Sequence, residues 1–171
     1  LSKDSLDGLR GLKEDLSKLE RIESVVSILD VPLLESPRIK ISDLENNKRT
    51  LDTPGLDKNL AQKEFTSSPI YKKLLASPDG KTTSLLVFYK RDEKYYSLME
   101  ARDNLREKKR SKKFLTYEEE IKLREVSLQF KKHLAHIQDL QGEEIKKVRT
   151  ILDKYRSKAK IFLGGLPMIT S

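Results

Sequence analysis

The sequence contains no cysteine and no tryptophan among its 171 residues. Without cysteine, the chain can form neither a disulfide framework nor a thiolate zinc site, and it can have no cysteine nucleophile. Only 6% of the residues are aromatic, so a core must be built mainly from Leu, Ile and Val. The length predicts one domain of ordinary size.

Long uncharged runs are also missing. The longest runs from Ile161 to Ser171, well short of the roughly 18 residues that suggest a membrane-spanning helix. The sequence begins at Leu1 rather than at methionine, and it lacks the basic and then apolar pattern of a signal peptide. We therefore expect a segment of a longer protein, with no membrane span within it.

Positive charge is concentrated in one place. The formal net charge is +8, from 35 Lys and Arg against 27 Asp and Glu. Six cations fall close together in the sequence and form what we call the basic cluster: Arg106, Lys108, Lys109, Arg110, Lys112 and Lys113. The rest of the chain is therefore close to neutral, and the charge excess is a local feature.

Three interpretations of the basic cluster remain open: a solvated helix end, a contact with anionic lipid headgroups, and a nucleic-acid or nuclear-localisation patch. Binding of single-stranded nucleic acid usually needs aromatic platforms for base stacking. Only Phe114 and Tyr117 lie close by. We therefore predict no nucleic-acid partner. A solvated helix end is the preferred interpretation, and an anionic surface contact is the candidate function of the cluster.

Apolar spacing and capping residues predict helices over 4–19, 57–65, 68–75, 93–109 and 116–158. Asp4 or Ser5 is the expected cap of the first helix. The last begins with a capping box of Thr116 and Glu119 and would reach roughly 60 Å. That length exceeds the diameter of a small domain. We expect it to pack antiparallel on the preceding helix, with the basic cluster at the tip.

A run rich in β-branched residues predicts a strand over 22–31, and apolar runs predict strands over 82–89 and 159–163. The second contains Leu85 to Tyr89 and is expected to be a central strand, buried on both faces. Residues 32–55 have no periodicity and are expected to be irregular, and Ser77 to Gly80 have the composition of a turn. The order of elements predicts an α+β fold, with an antiparallel sheet covered on one face by helices.

Candidate catalytic groups are few. His133 and His136 could share a metal in principle, but no acidic residue or third histidine has a matching position in the sequence, so solvated helix residues are the preferred interpretation. The runs Glu118 to Glu120 and Glu143 to Glu144 are explained by the helix dipole and by pairing with lysines. Gly164-Gly165 matches no phosphate-binding motif. We predict no enzyme and no catalytic, metal-binding or cofactor-binding residue.

Several phrases taken together resemble one protein family. They occur in the following order: Lys3-Asp4-Ser5-Leu6 leading to Leu16 and Ile22-Glu23-Ser24-Val25-Val26-Ser27, Ser68-Pro69-Ile70-Tyr71, Ser77-Pro78-Asp79-Gly80-Lys81-Thr82-Thr83, and Phe162-Leu163-Gly164-Gly165-Leu166-Pro167-Met168-Ile169. The series is similar to the MMPL-like predicted exporters of the RND superfamily. The matching segment of those exporters is periplasmic and lies between the first and second transmembrane helices.

The resemblance implies a porter-type domain of the ferredoxin-like kind, in which strands and helices follow the order βαββαβ. The first strand would precede Leu1, so the expected fold is an incomplete ferredoxin-like antiparallel sheet covered by helices. Residues 1–171 would form a single periplasmic porter-like fragment. Its α/β core would comprise 4–90 and 160–166, and a long antiparallel helical hairpin would form an arm over 92–158.

The resemblance also implies a function. The chain would be a soluble periplasmic domain of a proton-driven exporter of hydrophobic or amphiphilic molecules, such as lipids or drugs, at the inner membrane. Its partners would be the companion periplasmic domain and the transmembrane helices of the same protein, the lipid-like substrate, and another protomer or an adaptor. The residues alone leave an alternative open, a cytosolic coiled-coil module that binds an acidic partner through the basic cluster.

Overall fold

The computed structural model describes residues 2–33 and 49–165. These residues form four helices and a two-stranded antiparallel sheet, which agrees with the predicted α+β class. In chain order the elements are α1 (Lys3–Ser17), β1 (Ile22–Val26), α2 (Lys58–Ser67), β2 (Leu86–Tyr89), α3 (Glu93–Lys112) and α4 (Tyr117–Tyr155). Of the irregular stretch predicted at 32–55, residues 34–48 lie outside the described residues, as do Leu166 to Ser171.

The described residues divide into two compact units. The first unit contains the described residues up to Tyr89 together with Thr150–Gly164, and the second contains Lys90–Arg149. Helix α4 is continuous and contributes residues to both. Gly142 lies within this helix and does not interrupt it.

Helix α1 forms where its leucine spacing predicts it, and Leu6, Leu9, Leu12 and Leu16 are buried. The predicted cap was wrong by two to three residues. Ser2, with an extended backbone, is the cap, and its Oγ accepts a hydrogen bond from the N–H of Ser5 at 3.2 Å. A hydroxyl three residues before an amide is well placed for this bond.

Strands β1 and β2 pair antiparallel, with Val25 opposite Val87 and Val26 opposite Leu86. Strand β1 is shorter than the prediction of 22–31. It ends because Asp30 folds back: its Oδ2 accepts hydrogen bonds from the N–H of Ser27 at 2.8 Å and from the hydroxyl of Ser27 at 3.0 Å. A local side-chain bond of this kind competes with the ladder of a sheet.

The prediction of a central strand buried on both faces was wrong. Within the described part of the chain β2 pairs only with β1, and Phe88 is 49% exposed. The strand starts at Leu86 rather than Thr82 because Thr83 contacts the preceding segment, where its Oγ1 donates to the carbonyl of Leu75 at 2.8 Å. The predicted strand over 159–163 was also wrong: these residues form no strand, and Phe162 is 78% exposed.

The predicted helix over 68–75 was wrong as well. The segment forms successive turns, and Lys73 adopts a left-handed backbone with φ +69°. Its N–H donates to the carbonyl of Ala76 at 2.9 Å, a bond that no α-helix contains. The turn that follows was predicted correctly, since the N–H of Gly80 donates to the carbonyl of Ser77 at 2.9 Å.

The core of the first unit joins α1, α2 and the irregular segments that follow β1 and α2. Phe65 and Tyr71 pack in it with ring centroids 5.5 Å apart. Their buried neighbours are Leu6, Leu9, Ile28, Leu29, Leu33, Leu51, Ala61, Leu75 and Ala76. Aliphatic side chains dominate the set, as the scarcity of aromatic residues predicts.

In the second unit, helices α3 and α4 are antiparallel. Asp92, which caps the start of α3, contacts His133, whereas Lys108 near the end of α3 contacts Glu119 near the start of α4. Between these contacts, Tyr95 lies 5.3 Å from Phe130 between ring centroids. We call this pair of helices the hairpin.

Candidate functional site

The basic cluster lies at the closed end of the hairpin. Five of its members occupy the last two turns of α3, and Lys113 follows as the C-cap with a left-handed φ of +62°. A short linker then leads to α4, whose capping box is formed as predicted: Thr116 Oγ1 accepts from the N–H of Glu119 at 3.3 Å, and Glu119 Oε2 accepts from the N–H of Thr116 at 3.1 Å. We call residues 106–121 the hairpin tip.

Three members of the basic cluster are paired with carboxylates. Lys108 binds Glu119 across the hairpin, and Lys109 lies 3.6 Å from Glu120. Arg106 lies 3.8 Å from Asp103, one turn earlier on α3. Donation from Lys108, and then from the N–H of Thr116, holds the pKa of Glu119 below its usual range. Lys108 and Lys109 help to join the two helices, and none of the three paired cations is available in full to a ligand.

The other three cations, Arg110, Lys112 and Lys113, are exposed and form no ion pair with any residue in 2–33 or 49–165. Two exposed carboxylates, Glu107 and Glu118, also belong to the tip. After ion pairing, and with these two carboxylates counted, the six positive charges of the basic cluster leave a small positive surplus at the tip. The last three cations provide it, and they lie within four consecutive residues.

Apolar side chains are exposed beside these cations. Phe114 is 69% exposed and Tyr117 is 81% exposed, and Ile121, one turn further along α4, is 40% exposed. Leu115 between them is buried. Phe114 and Tyr117 were identified from the sequence as the aromatic residues near the cluster. Their exposure, and that of Ile121, could not be predicted from the sequence.

His133 is not the solvated residue that the sequence predicted. Its side chain is 13% exposed, and its Nε2 lies 2.9 Å from Oδ1 of Asp92. Asp92 is 41 residues away in the sequence. For this reason, the spacing of residues near His133 did not reveal an acidic partner. His136 is exposed, with its ring centroid 6.4 Å from that of His133. Within the described ranges, no group of three or more His, Cys, Asp or Glu side chains is arranged to hold a metal ion.

A second charged group lies in the first unit, where the end of α4 meets α1. Asp15 accepts hydrogen bonds from Lys18 Nζ and from the hydroxyl of Tyr155, each at 3.1 Å, and Lys154 Nζ is 3.7 Å away. Donation from Lys18, and then from Tyr155, holds the pKa of Asp15 below its usual range. These bonds fasten one helix to another and leave no reactive group directed at a ligand.

The first unit also contains a shallow depression of about 170 Å³. Hydroxyl groups of Ser2, Ser5, Thr82 and Thr83 line it, together with Lys81. It contains no nucleophile paired with a base, which is the arrangement that covalent catalysis requires. The hairpin tip is therefore the stronger candidate for a functional surface.

Two further observations bear on identity. None of the helices in the described part of the chain combines the length and apolar composition needed to cross a membrane. Comparison of the chain with protein-family models, with curated proteins and with solved structures gave no significant match.

Proposed function

We propose that the chain is a periplasmic domain of a proton-driven exporter of the RND superfamily, similar to the MMPL-like predicted exporters. The observation that carries the proposal is the ordered series of family-like phrases along the sequence. Three of them contribute to one folded unit: Leu6 of the first phrase and Tyr71 of the second are buried in the same core, and the phrase ending at Thr83 leads into β2, which pairs with β1.

The finer fold is part of the proposal. In a ferredoxin-like sheet, an antiparallel pair such as β1 and β2 belongs to a larger sheet. The resemblance implies that a strand ahead of Leu1 would extend the pair. The hairpin of α3 and α4 would be an arm inserted into this porter-type domain.

Exposed apolar side chains of the first unit support a role in contacts between domains. Leu60, Ile70 and Leu74 are each about half exposed, as are Phe88 and Leu163. We propose that such residues contact the companion periplasmic domain, another protomer or an adaptor, and that the assembled domains line the path of a hydrophobic or amphiphilic substrate. Proton movement would be carried by transmembrane segments of the full-length protein.

The membrane topology of the full-length protein tests this proposal. The residues that flank the chain in its gene should each contain an apolar run of about 20 residues. Because the chain has no cysteine, Ser17→Cys introduces a single thiol at an exposed position at the end of α1. In a full-length protein without other cysteines, this thiol should react with a membrane-impermeant maleimide from the periplasmic face of intact inner membranes.

Ala61→Cys is the matched control, because Ala61 is fully buried in α2. Its thiol should react only after the protein is unfolded. Labelling of Ser17→Cys only after disruption of the inner membrane would contradict the exporter proposal and favour the cytosolic interaction module. Absence of apolar runs in the flanking sequence would contradict it independently.

A further inference from the structure

We infer that the hairpin tip docks on the surface of an anionic phospholipid bilayer. Arg110, Lys112 and Lys113 would contact headgroup phosphates, while Phe114 and Tyr117 would enter the interface between headgroups and acyl chains. This inference goes beyond the exporter proposal and does not rest on it, since it uses only the charges and exposures of the tip.

Charge complementarity is the first argument. The three cations lack ion-pair partners among the described residues, and they lie next to one another at a helix end and in the linker. Each Lys or Arg near an anionic membrane contributes about 1 kcal/mol, which corresponds to about a fivefold change in partitioning. Glu107 and Glu118 offset part of this attraction, so the charge surplus supports a weak, salt-dependent attachment to which the exposed apolar side chains add.

The exposed apolar group is the second argument. Tyr117 and Ile121 are four residues apart and therefore share one face of α4, and Phe114 precedes them in the linker. Tyr is favoured at membrane interfaces, where its ring is in an apolar layer and its hydroxyl remains in water. Phe is typical of the apolar face of segments that lie in the interface. In the free chain these side chains remain in solvent, at a cost that contact with lipid would remove.

The same group distinguishes lipid from nucleic acid. Single-stranded nucleic acid is bound along a positive groove, with successive bases stacked on aromatic rings. The tip is a turn between two helices and offers two rings, and Ile121 provides no stacking surface. An aliphatic side chain beside two rings suits the acyl layer instead.

Vesicle binding by the 171-residue chain tests the inference. The chain should co-sediment with vesicles of phosphatidylglycerol and phosphatidylcholine in equal parts, but not with vesicles of phosphatidylcholine alone, and added salt should weaken binding. Lys112→Glu/Lys113→Glu should lower partitioning at least about 25-fold, from about fivefold for each charge removed. Circular dichroism of each variant establishes that the helices are retained.

Lys131→Glu/Lys132→Glu is the matched control, because these two exposed lysines of α4 carry the same charge away from the tip. This variant should bind almost as well as the parent chain. Equal losses in both double variants would show attraction by net charge alone and would overturn the inference. Binding of a single-stranded oligonucleotide that depends on Lys112 and Lys113 and displaces the vesicles would also overturn it.

Insertion of the aromatic side chains can be measured separately, because the chain has no tryptophan. Phe114→Trp provides a single fluorophore at the tip, and Phe162→Trp provides one at another exposed position. With anionic vesicles, emission of the first should shift to shorter wavelength and become protected from acrylamide, while emission of the second should not change. Vesicle binding without a shift at position 114 would contradict the proposed entry of the ring.

Discussion

The ring of Tyr155 lies directly against the backbone of Gly11. A Cβ atom on Gly11 would be 2.9 Å from the hydroxyl oxygen of Tyr155 and 3.3 Å from its Cε1. The hydroxyl is held in this place by its hydrogen bond to Asp15 at 3.1 Å. A glycine within a helix lowers its stability relative to alanine, but the glycine at position 11 permits close packing with the end of α4.

Gly8 and Gly11 should therefore respond differently to alanine. Gly8→Ala should raise the free energy of unfolding by about 1 kcal/mol through helix propensity, since its nearest contact would be Lys158 Cδ at 3.9 Å. Gly11→Ala should leave the free energy of unfolding unchanged or should lower it, because the ring of Tyr155 must move to make room for the added Cβ atom. Urea unfolding measures both values.

Tyr155→Phe should partly rescue Gly11→Ala, since it removes the atom in closest conflict. The control is the single variant Tyr155→Phe, which loses the hydrogen bond to Asp15. Equal gains from Gly8→Ala and Gly11→Ala would show that the contact imposes no constraint on position 11.

Asp30 should make stability dependent on pH. Partial burial would raise the pKa of its carboxyl, yet the pKa lies below its usual range, because Lys13 and then the N–H and hydroxyl of Ser27 donate to it. A group whose pKa is lowered on folding stabilises the protein above its unfolded pKa of about 4, and this contribution is lost as the pH falls through the folded value. Asp30→Asn should cost about 1 kcal/mol at neutral pH.

The cost of Asp30→Asn should shrink when urea unfolding is repeated at decreasing pH below about 4, where the parent carboxyl also becomes neutral. Lys13→Met should reduce the same pH dependence, because it removes the first of the lowering contacts. A cost that stays constant across the acid range would exclude the carboxylate charge as its cause.

Asp92 should combine two separable roles. Its carboxylate caps α3 by accepting from the N–H of Tyr95 at 2.8 Å, and the same oxygen contacts His133. Asp92→Ser retains a capping oxygen but loses the contact with His133. Asp92→Ala loses both the cap and this contact, and the loss of the cap alone should lower the free energy of unfolding by about 1 kcal/mol. Asp92→Ser should therefore destabilise the protein less than Asp92→Ala. Thermal unfolding compares the two variants, and equal losses would mean that the cap contributes nothing.

Lys113 should show opposite effects on stability and on vesicle binding. Its left-handed backbone costs a non-glycine residue about 1–2 kcal/mol, whereas glycine adopts it without steric cost. Lys113→Gly should therefore raise the free energy of unfolding by about 1 kcal/mol. The same change removes a tip cation and should weaken binding to anionic vesicles about fivefold. Measuring both quantities on one protein separates folding from docking.

Lys73 provides the matched control, because it also has a positive φ, of +69°, but lies in the first unit. Lys73→Gly should stabilise the chain without weakening vesicle binding. A parallel loss of binding in Lys73→Gly would indicate that total charge, rather than the tip, determines attachment.

The helices were largely predictable from sequence because their signals are local. Apolar spacing located α1 and α4, and a capping box whose two residues are three positions apart, Thr116 and Glu119, marked the start of α4. The helix predicted over 68–75 failed because Ser68 and Pro69 resemble a helix start, while hydrogen bonds to Ala76 and Thr83 draw the chain into turns. The strand predicted over 159–163 failed because a short apolar run does not by itself provide a partner strand.

The site was predictable only in part for the same reason. The run of cations is visible in the sequence, but their division into paired and exposed members depends on contacts across the hairpin, such as Lys108 with Glu119. The contact of His133 with Asp92 spans an even longer separation. Exposure of Phe114 likewise follows from the path of the linker and not from the residue type.

Glu119 determines how long the linker of the hairpin can be. One of its oxygens binds Lys108 of α3 while the other accepts from the N–H of Thr116, so a single carboxylate fastens both ends of the connection. An inserted residue would force it to release one of the two. These two bonds fix the conformation of the linker. They thereby hold Lys113, Phe114 and Tyr117 at a constant spacing, so that the three side chains can contact one surface together.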